Sequence, residues 1–160
     1  MATESNMSDF PSLGQISTYS SGVIQARVYR KLKKVTEAIV NKHDLSMTQW
    51  FVLGTVYDHG DEGIRITDLA KQVDTTLAYL TNTINILDAR GMTERLSHGQ
   101  DNRAKLVRVK KSFKKMIPTI EEKIREDMRK VIYPNVTPEE LEIYIHVLMK
   151  LANISEKPVN

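Results

Sequence analysis

The chain has no cysteine. A disulfide framework, thiolate catalysis, zinc held by cysteine and peroxide sensing through a thiol are therefore excluded. No segment approaches the ~20 consecutive apolar residues that a membrane-spanning helix needs. The opening stretch MATESNMSDFPSLG also lacks the basic-then-apolar order of a secretory leader. No membrane partner is expected, and the cytoplasm is the expected location. Nucleophile-elbow, phosphate-loop and zinc-hydrolase motifs are missing, and no groups suited to acid, base or nucleophile roles converge in any motif. The chain is not expected to be an enzyme. The histidines, His43, His59, His98 and His146, are scattered. Glu142 and His146, spaced i, i+4, with His43 and Asp44 are the best available metal set, but such spacing more often marks an ordinary surface pair. Neither a metal nor another cofactor is expected.

One further scarcity is local. TTLAYLTNTINILDARG, from Thr75 to Gly91, has neither lysine nor arginine before Arg90. The positive charge lies downstream. Arg95, Arg103, Lys105, Arg108, Lys110, Lys111, Lys114 and Lys115 face only Asp101 between residues 95 and 115, so a chain of net charge +3 is +7 here and −4 elsewhere. Two readings fit such a stripe: attraction to a polyanion such as DNA, or a solvated helix face.

With 160 residues, 41% hydrophobic and 27% charged, the chain can bury one sizeable core. From Ile16, apolar residues recur at Tyr19, Val23, Val28, Leu32, Val35 and Ile39, which predicts a long amphipathic helix of about seven turns. A stripe of that length near a terminus calls for a partner helix. Ser46 with Gln49 forms a capping box and Leu45 with Trp50 a hydrophobic staple, starting a helix that stops at Gly60. DEGIRI reads as a turn and a short extended segment. Thr67 is placed to cap a short helix DLAKQV, and DTT turns into the neutral stretch. Met92 to Ser97 and Ala104 to Val109 read as a β-hairpin around a polar turn. From Lys110 the spacing is helical again, with Pro118 as an expected kink, until Tyr133-Pro134-Asn135. Thr137, Pro138 and Glu140 cap a last helix to about Ile154, with Val136 and Leu141 as its staple.

The expected fold is mainly α with a small β-hairpin wing: a winged helix-turn-helix flanked by N- and C-terminal dimerisation helices. Its expected divisions are a polar arm at 1–14, dimerisation helices at 15–44 and 111–154, the winged region at 45–110 and a tail at 155–160.

From about Gln15 to Ile154 the sequence resembles the MarR family of bacterial transcriptional regulators. DLSMTQWFVLGTV looks like the family's segment before the short helix, ITDLAKQVDTTLAYLTNTINILDARGMTER matches its helix-turn-helix without a gap, and QDNRAKLVRV matches its wing, with Asp101-Asn102-Arg103 as the Asp-x-Arg signature. The resemblance implies a homodimer on a pseudo-palindromic operator in double-stranded DNA, with a recognition helix in each major groove and a wing arginine in each flanking minor groove. It further implies a repressor released by a small phenolic or aromatic ligand. Some relatives respond to metals instead. Positions 82 and 86, often arginine in the family, are Asn82 and Ile86 here, so the resemblance does not supply the operator sequence.

On a helical wheel Leu77, Leu80, Ile84 and Leu87 share one side and are the expected core. Ala78, Tyr79, Asn82, Asn85 and Ile86 share the other, with Thr81 at its edge. Asparagine can pair bidentately with adenine, and Ala, Ile or Thr can touch a thymine methyl, so this neutral face suits A·T-rich DNA. In the wing, Arg103 suits a narrow minor groove, with Asp101 to orient it or Arg95. Asn102 lies between them, and Arg95 and Lys105 are expected as phosphate contacts or wing supports. Thr67 and Thr76, at helix N-termini, can donate to phosphate or act only as caps. Trp50, Tyr19, Tyr29 and the methionines either line an effector pocket or pack in the core; the sequence does not assign the effector's contacts. A winged helix used for protein contacts is the rival to DNA binding.

Overall fold

Helices start where their caps sit. In the computed structural model, which describes residues 11–97 and 105–154, the Ser46 hydroxyl accepts from the Gln49 amide at 3.2 Å while the Gln49 side chain accepts from the Ser46 amide at 2.9 Å. This reciprocal box starts α2, Met47–Asp58. Thr137 and Glu140 repeat it for α7, Pro138–Ala152. The long first helix, α1, runs Thr18–Val40 from an N-cap at Ser17 and is followed by a short 3₁₀ turn, Asn41–His43.

Between these lie β1, Ile64–Arg65, α3, Ile66–Gln72, α4, Leu77–Ala89, and the strands β2, Thr93–Ser97, and β3, Lys105–Val109. Where the spacing suggests a two-stranded hairpin, the sheet has three antiparallel strands in the order β1-β3-β2. Ile64 pairs with Val107, and Thr93 pairs with Val109. The short extended segment expected in DEGIRI is the strand Ile64–Arg65, too short to show alternation, so its pairing with β3 is not predictable from spacing.

That pairing rests on a glycine. Gly63 has φ +73°, and a Cβ there would lie 2.6 Å from the Val107 carbonyl oxygen. Gly60, with φ +64°, has open space around its Cβ position. Gly60→Ala therefore carries the left-handed backbone cost alone, about 1–2 kcal/mol. Gly63→Ala is expected to lower the urea midpoint clearly further, because β1 must also separate from β3. Equal midpoints for the two variants would contradict the close approach.

The helix after the wing is broken, not kinked. α5, Lys111–Lys114, stops at Lys115 and α6 runs Met116–Ile132. Pro118 has no N–H to give the Lys114 carbonyl, so the ladder is interrupted one turn before the proline. Thr67 is also placed differently from expectation: α3 begins two residues earlier, at Ile66 and not Asp68, with Arg65 as its N-cap and no side-chain capping bond. Strand β1 runs directly into α3, which leaves no separate residue for Thr67 to cap; it lies inside the first turn.

A single core joins α1, α2, α3, α4, the sheet and α6, with Val40, Val52, Leu53, Val56, Leu69, Leu80, Ile84, Leu87 and Val107 fully buried. The turn after α1 is also tied to α6 at the surface. Lys42 reaches Asp127 at 2.8 Å and Lys130 reaches it at 3.0 Å, and these two hydrogen-bonded ammonium groups pull the Asp127 carboxyl down to about 2. α7 contributes no buried residue. No described helix is long and apolar enough to cross a membrane.

Candidate nucleic-acid interface

α3 and α4 are joined by a tight turn whose Asp74 takes a left-handed conformation, φ 49°. The Thr75 amide returns to the Ala70 carbonyl at 3.0 Å, and the Thr76 side chain accepts from the Tyr79 amide at 3.3 Å, so Thr76 is the N-cap of α4. The far end of α4 closes as a Schellman motif. Gly91, at φ 71°, bonds the Asp88 carbonyl and Met92 bonds the Leu87 carbonyl. Both ends of the helix are thereby held.

Ala78, Tyr79, Asn82, Asn85 and Ile86 are exposed on α4, and Thr81 is half-buried. The opposite side corrects the wheel at one position. Leu77 is 49% exposed, and Thr83 is buried with Leu80, Ile84 and Leu87. Leu77 is the first residue of α4 and stands beyond the edge of the core. Thr83 completes the i, i+3, i+4, i+7 stripe from Leu80, and its hydroxyl donates to the Tyr79 carbonyl at 3.0 Å, which satisfies the polar group this stripe buries.

Arg95, on β2, reaches back to the C-terminal half of α4. Its Nε donates to Asp88 Oδ2 at 3.1 Å, and one terminal guanidinium nitrogen donates to Asn85 Oδ1. The other Asp88 oxygen accepts from the buried Thr93 hydroxyl. Asp88 and Thr93 were not singled out in the sequence, although a signal exists. A carboxylate in the last turn of a helix opposes the helix dipole, so Asp88 calls for a dedicated cation.

The basic stripe is less bare than its count. Arg95 is paired with Asp88, Arg108 pairs with Glu94 directly across the sheet at 2.7 Å, and Lys114 reaches Asp61 at 2.9 Å. The hydrogen bond and charge of Lys114 hold the Asp61 carboxyl below its ordinary range. Lys110, Lys111 and Lys115 are exposed. Asp101, Asn102 and Arg103 lie outside the described residues, as does the Lys105 side chain; the Lys105 backbone begins β3.

Two clefts lie away from α4. One, of about 760 Å³, is walled by Trp50, Phe51, Tyr57, Val73 and Ile117, with Arg125 at its edge. Trp50 thus belongs to both the core and a cleft wall. Tyr19 and Tyr29, the other aromatic candidates, are exposed on α1. The second cleft, about 670 Å³, follows α7 and includes Leu141, Glu142, Ile145 and His146. Glu142 and His146 share that face, while His43 sits in the turn after α1. Among the described residues no three His, Asp or Glu side chains gather as a metal group.

The MarR family model matches residues 45–105, which run from the start of α2 to the start of β3. An uncharacterised HTH-type transcriptional regulator of Bacillus subtilis, YdgJ, is 30% identical over 133 residues, covering 81% of this chain and 79% of its own length. The chain belongs to the MarR family of transcriptional regulators. Its fold agrees. A cysteine-to-serine mutant of MarR from E. coli superposes with a TM-score of 0.70 at 21% identity, covering 86% of this chain and 97% of that one. MepR of S. aureus, solved as a DNA complex, gives 0.68 at 17% identity, over 88% and 100% of the two chains. In MarR-family terms α3 and α4 are the helix-turn-helix, and the β2–β3 hairpin with β1 is the wing.

Proposed function

We propose that this MarR-family chain is a homodimeric, sequence-specific DNA-binding repressor that a small phenolic or aromatic ligand releases. The observation that carries the DNA reading is the outward face of α4, held at both ends and presenting Ala78, Tyr79, Asn82, Asn85 and Ile86 in a row with Thr81 at its edge. A helix of this kind inserts into a major groove, and two copies meet half-sites about one helical turn apart. The fold shared with MepR in its DNA complex supports this. Arg103 enters the flanking minor groove, with Asp101 and Asn102 beside it. Lys105, Thr67 and Thr76 contact phosphate. Arg95, engaged by Asp88 and Asn85, supports the wing and the reading face. The division of labour follows the elements: residues 15–44 and 111–154 dimerise, 45–110 bind DNA, and the cytoplasm is where both happen. The cleft walled by Trp50, Phe51 and Tyr57 suits an aromatic effector, because it lies between α2 and α6 and borders the end of α3 at Val73.

Selection from a random duplex library tests this reading. Arg103→Ala is expected to cost about 1–3 kcal/mol, mainly where the flanks are A·T-rich, and to reduce the salt slope by about one. Asn82→Ala is expected to relax preference at one inner base. Enrichment of no sequence, or binding nearly insensitive to salt, overturns the DNA reading. It would favour the winged helix as a protein-contact module, which the pairing of Arg95, Arg108 and Lys114 within the chain would suit.

A further inference from the structure

We propose that Asp88, acting through Arg95, fixes the Asn85 amide as a hydrogen-bond donor that prefers guanine over adenine at its base pair. The inference rests on the DNA reading of α4 and assigns what one of its side chains reads. A free asparagine reads adenine bidentately: its oxygen accepts from N6 and its nitrogen donates to N7. Asn85 is not free. The atom facing Arg95 must be Oδ1, since a guanidinium has donors and no acceptor. The amide is planar, so turning Oδ1 toward Arg95 places Nδ2 on the other branch. The outward group is then an NH₂ with two donors. Guanine offers two adjacent acceptors in the major groove, N7 and O6, and matches it. Adenine places an amino donor beside its N7 and does not.

Arg95 holds this orientation because it is itself held. Its Nε meets Asp88 Oδ2 at 3.1 Å, and Asp88 is anchored through its other oxygen by the buried Thr93. The order runs from the sheet (Thr93) through the last turn of α4 (Asp88) and a second strand residue (Arg95) to the reading face (Asn85). Asp88 and Arg95 are positioning residues in this arrangement. Lysine cannot replace Arg95, because one ammonium cannot span the carboxylate and the amide as a planar fork does.

Four proteins, wild type, Asp88→Asn, Arg95→Lys and Asn85→Asp, are each used to select from duplexes randomised over two helical turns, and their thermal midpoints are measured alongside. In wild type one position prefers guanine. Asp88→Asn and Arg95→Lys are expected to cut the guanine-to-adenine ratio at that position roughly tenfold and leave the other positions unchanged. Asn85→Asp keeps the contact to Arg95 but turns an acceptor outward, so its preference should move to cytosine or adenine, whose amino groups donate. An unchanged guanine-to-adenine ratio in Asp88→Asn and Arg95→Lys overturns the proposal, and so does an even loss of affinity at all positions, which marks Arg95 as a phosphate contact. A midpoint fall with unaltered base preference means a structural role only and likewise overturns it. Wild type that selects nothing overturns the DNA reading as well. Selective wild type with indifferent variants overturns this inference alone.

Discussion

Ile145→Asp combined with Leu148→Asp is expected to turn the proposed dimer into a monomer and to weaken self-association at least about a thousandfold. α7 is apolar on two sides. Leu141, Ile145, Leu148 and Ala152 form one stripe, Ile143, Val147 and Leu151 form another, and Glu142, His146 and Lys150 hold the remaining face. None of these residues is buried in the single chain. Ile145 is 48% and Leu148 40% exposed, and on α1 Tyr19 reaches 78%. A helix apolar on most of its circumference is stable only when covered, and one of fifteen residues is marginal in water by itself.

In the proposed homodimer a second copy supplies the cover, and symmetry doubles each substitution. Full burial of such a side chain contributes about 1.5–3 kcal/mol. With somewhat less than half of each left to bury, four side chains contribute about 2.5–5 kcal/mol to such a dimer. Placing aspartates in the same interface adds a desolvation cost of several kcal/mol for each buried charge. Lys150→Ala, on the polar face, is the control and should remain dimeric. Sedimentation of the double variant as a dimer at micromolar concentration would remove α7 from the interface. The consequence for DNA is large, because a monomer engages one half-site and loses the contribution of the second.

Leu80→Ala carries the second largest effect. Leu80 is fully buried in α4 and packs the reading helix onto the core. Its truncation is expected to cost about 3–5 kcal/mol, the transfer term plus a cavity the neighbours fill only in part. For a chain of this size that lowers the thermal midpoint by about 10 °C at fixed protein concentration. Leu77→Ala, three residues earlier, is expected to cost less than about 1 kcal/mol, because half of that side chain is already in water. Similar midpoints for the two variants would restore Leu77 to the core and contradict the burial of Thr83 in its place.

These two leucines also mark how far the helical wheel could be trusted. Periodicity finds the buried side of α4 but treats the helix as endless. The first turn has no core beneath it, so the stripe begins at Leu80 and recruits Thr83, whose hydroxyl is satisfied by its own helix. Capping boxes were legible because they are local: Ser46 with Gln49, and Thr137 with Glu140, need only three residues of spacing. The extended segment in DEGIRI was legible, but its place in the sheet was not, because Ile64–Arg65 joins it only by meeting Val107 and Leu106. Pro118 was visible as a disruption, but its effect fell upstream at Lys115, next to the Lys114 carbonyl that the missing bond would have reached.

The candidate site divides in the same way. The neutral row on α4 follows from spacing alone, whereas the state of each side chain in it does not. Asn85 read in isolation is an adenine reader; beside Arg95 and Asp88 its amide is turned. Likewise the count of positive charge between residues 95 and 115 was right, but Glu94 and Asp61 neutralise part of it from across the sheet and from a turn distant in sequence.

By itself the sequence determined the starts of α2, α4 and α7, the family, the order of elements and the absence of thiol chemistry, since all of these depend on composition or on neighbours within a turn or two. Tertiary structure alone decided the pairing of the third strand, the burial of Thr83, the pairing of the basic stripe and the direction of the Asn85 amide. Each of those is set by a contact between residues whose separation along the chain carries no periodic signal, and a hydrogen bond or a packed surface exists only once the fold has brought its two sides together.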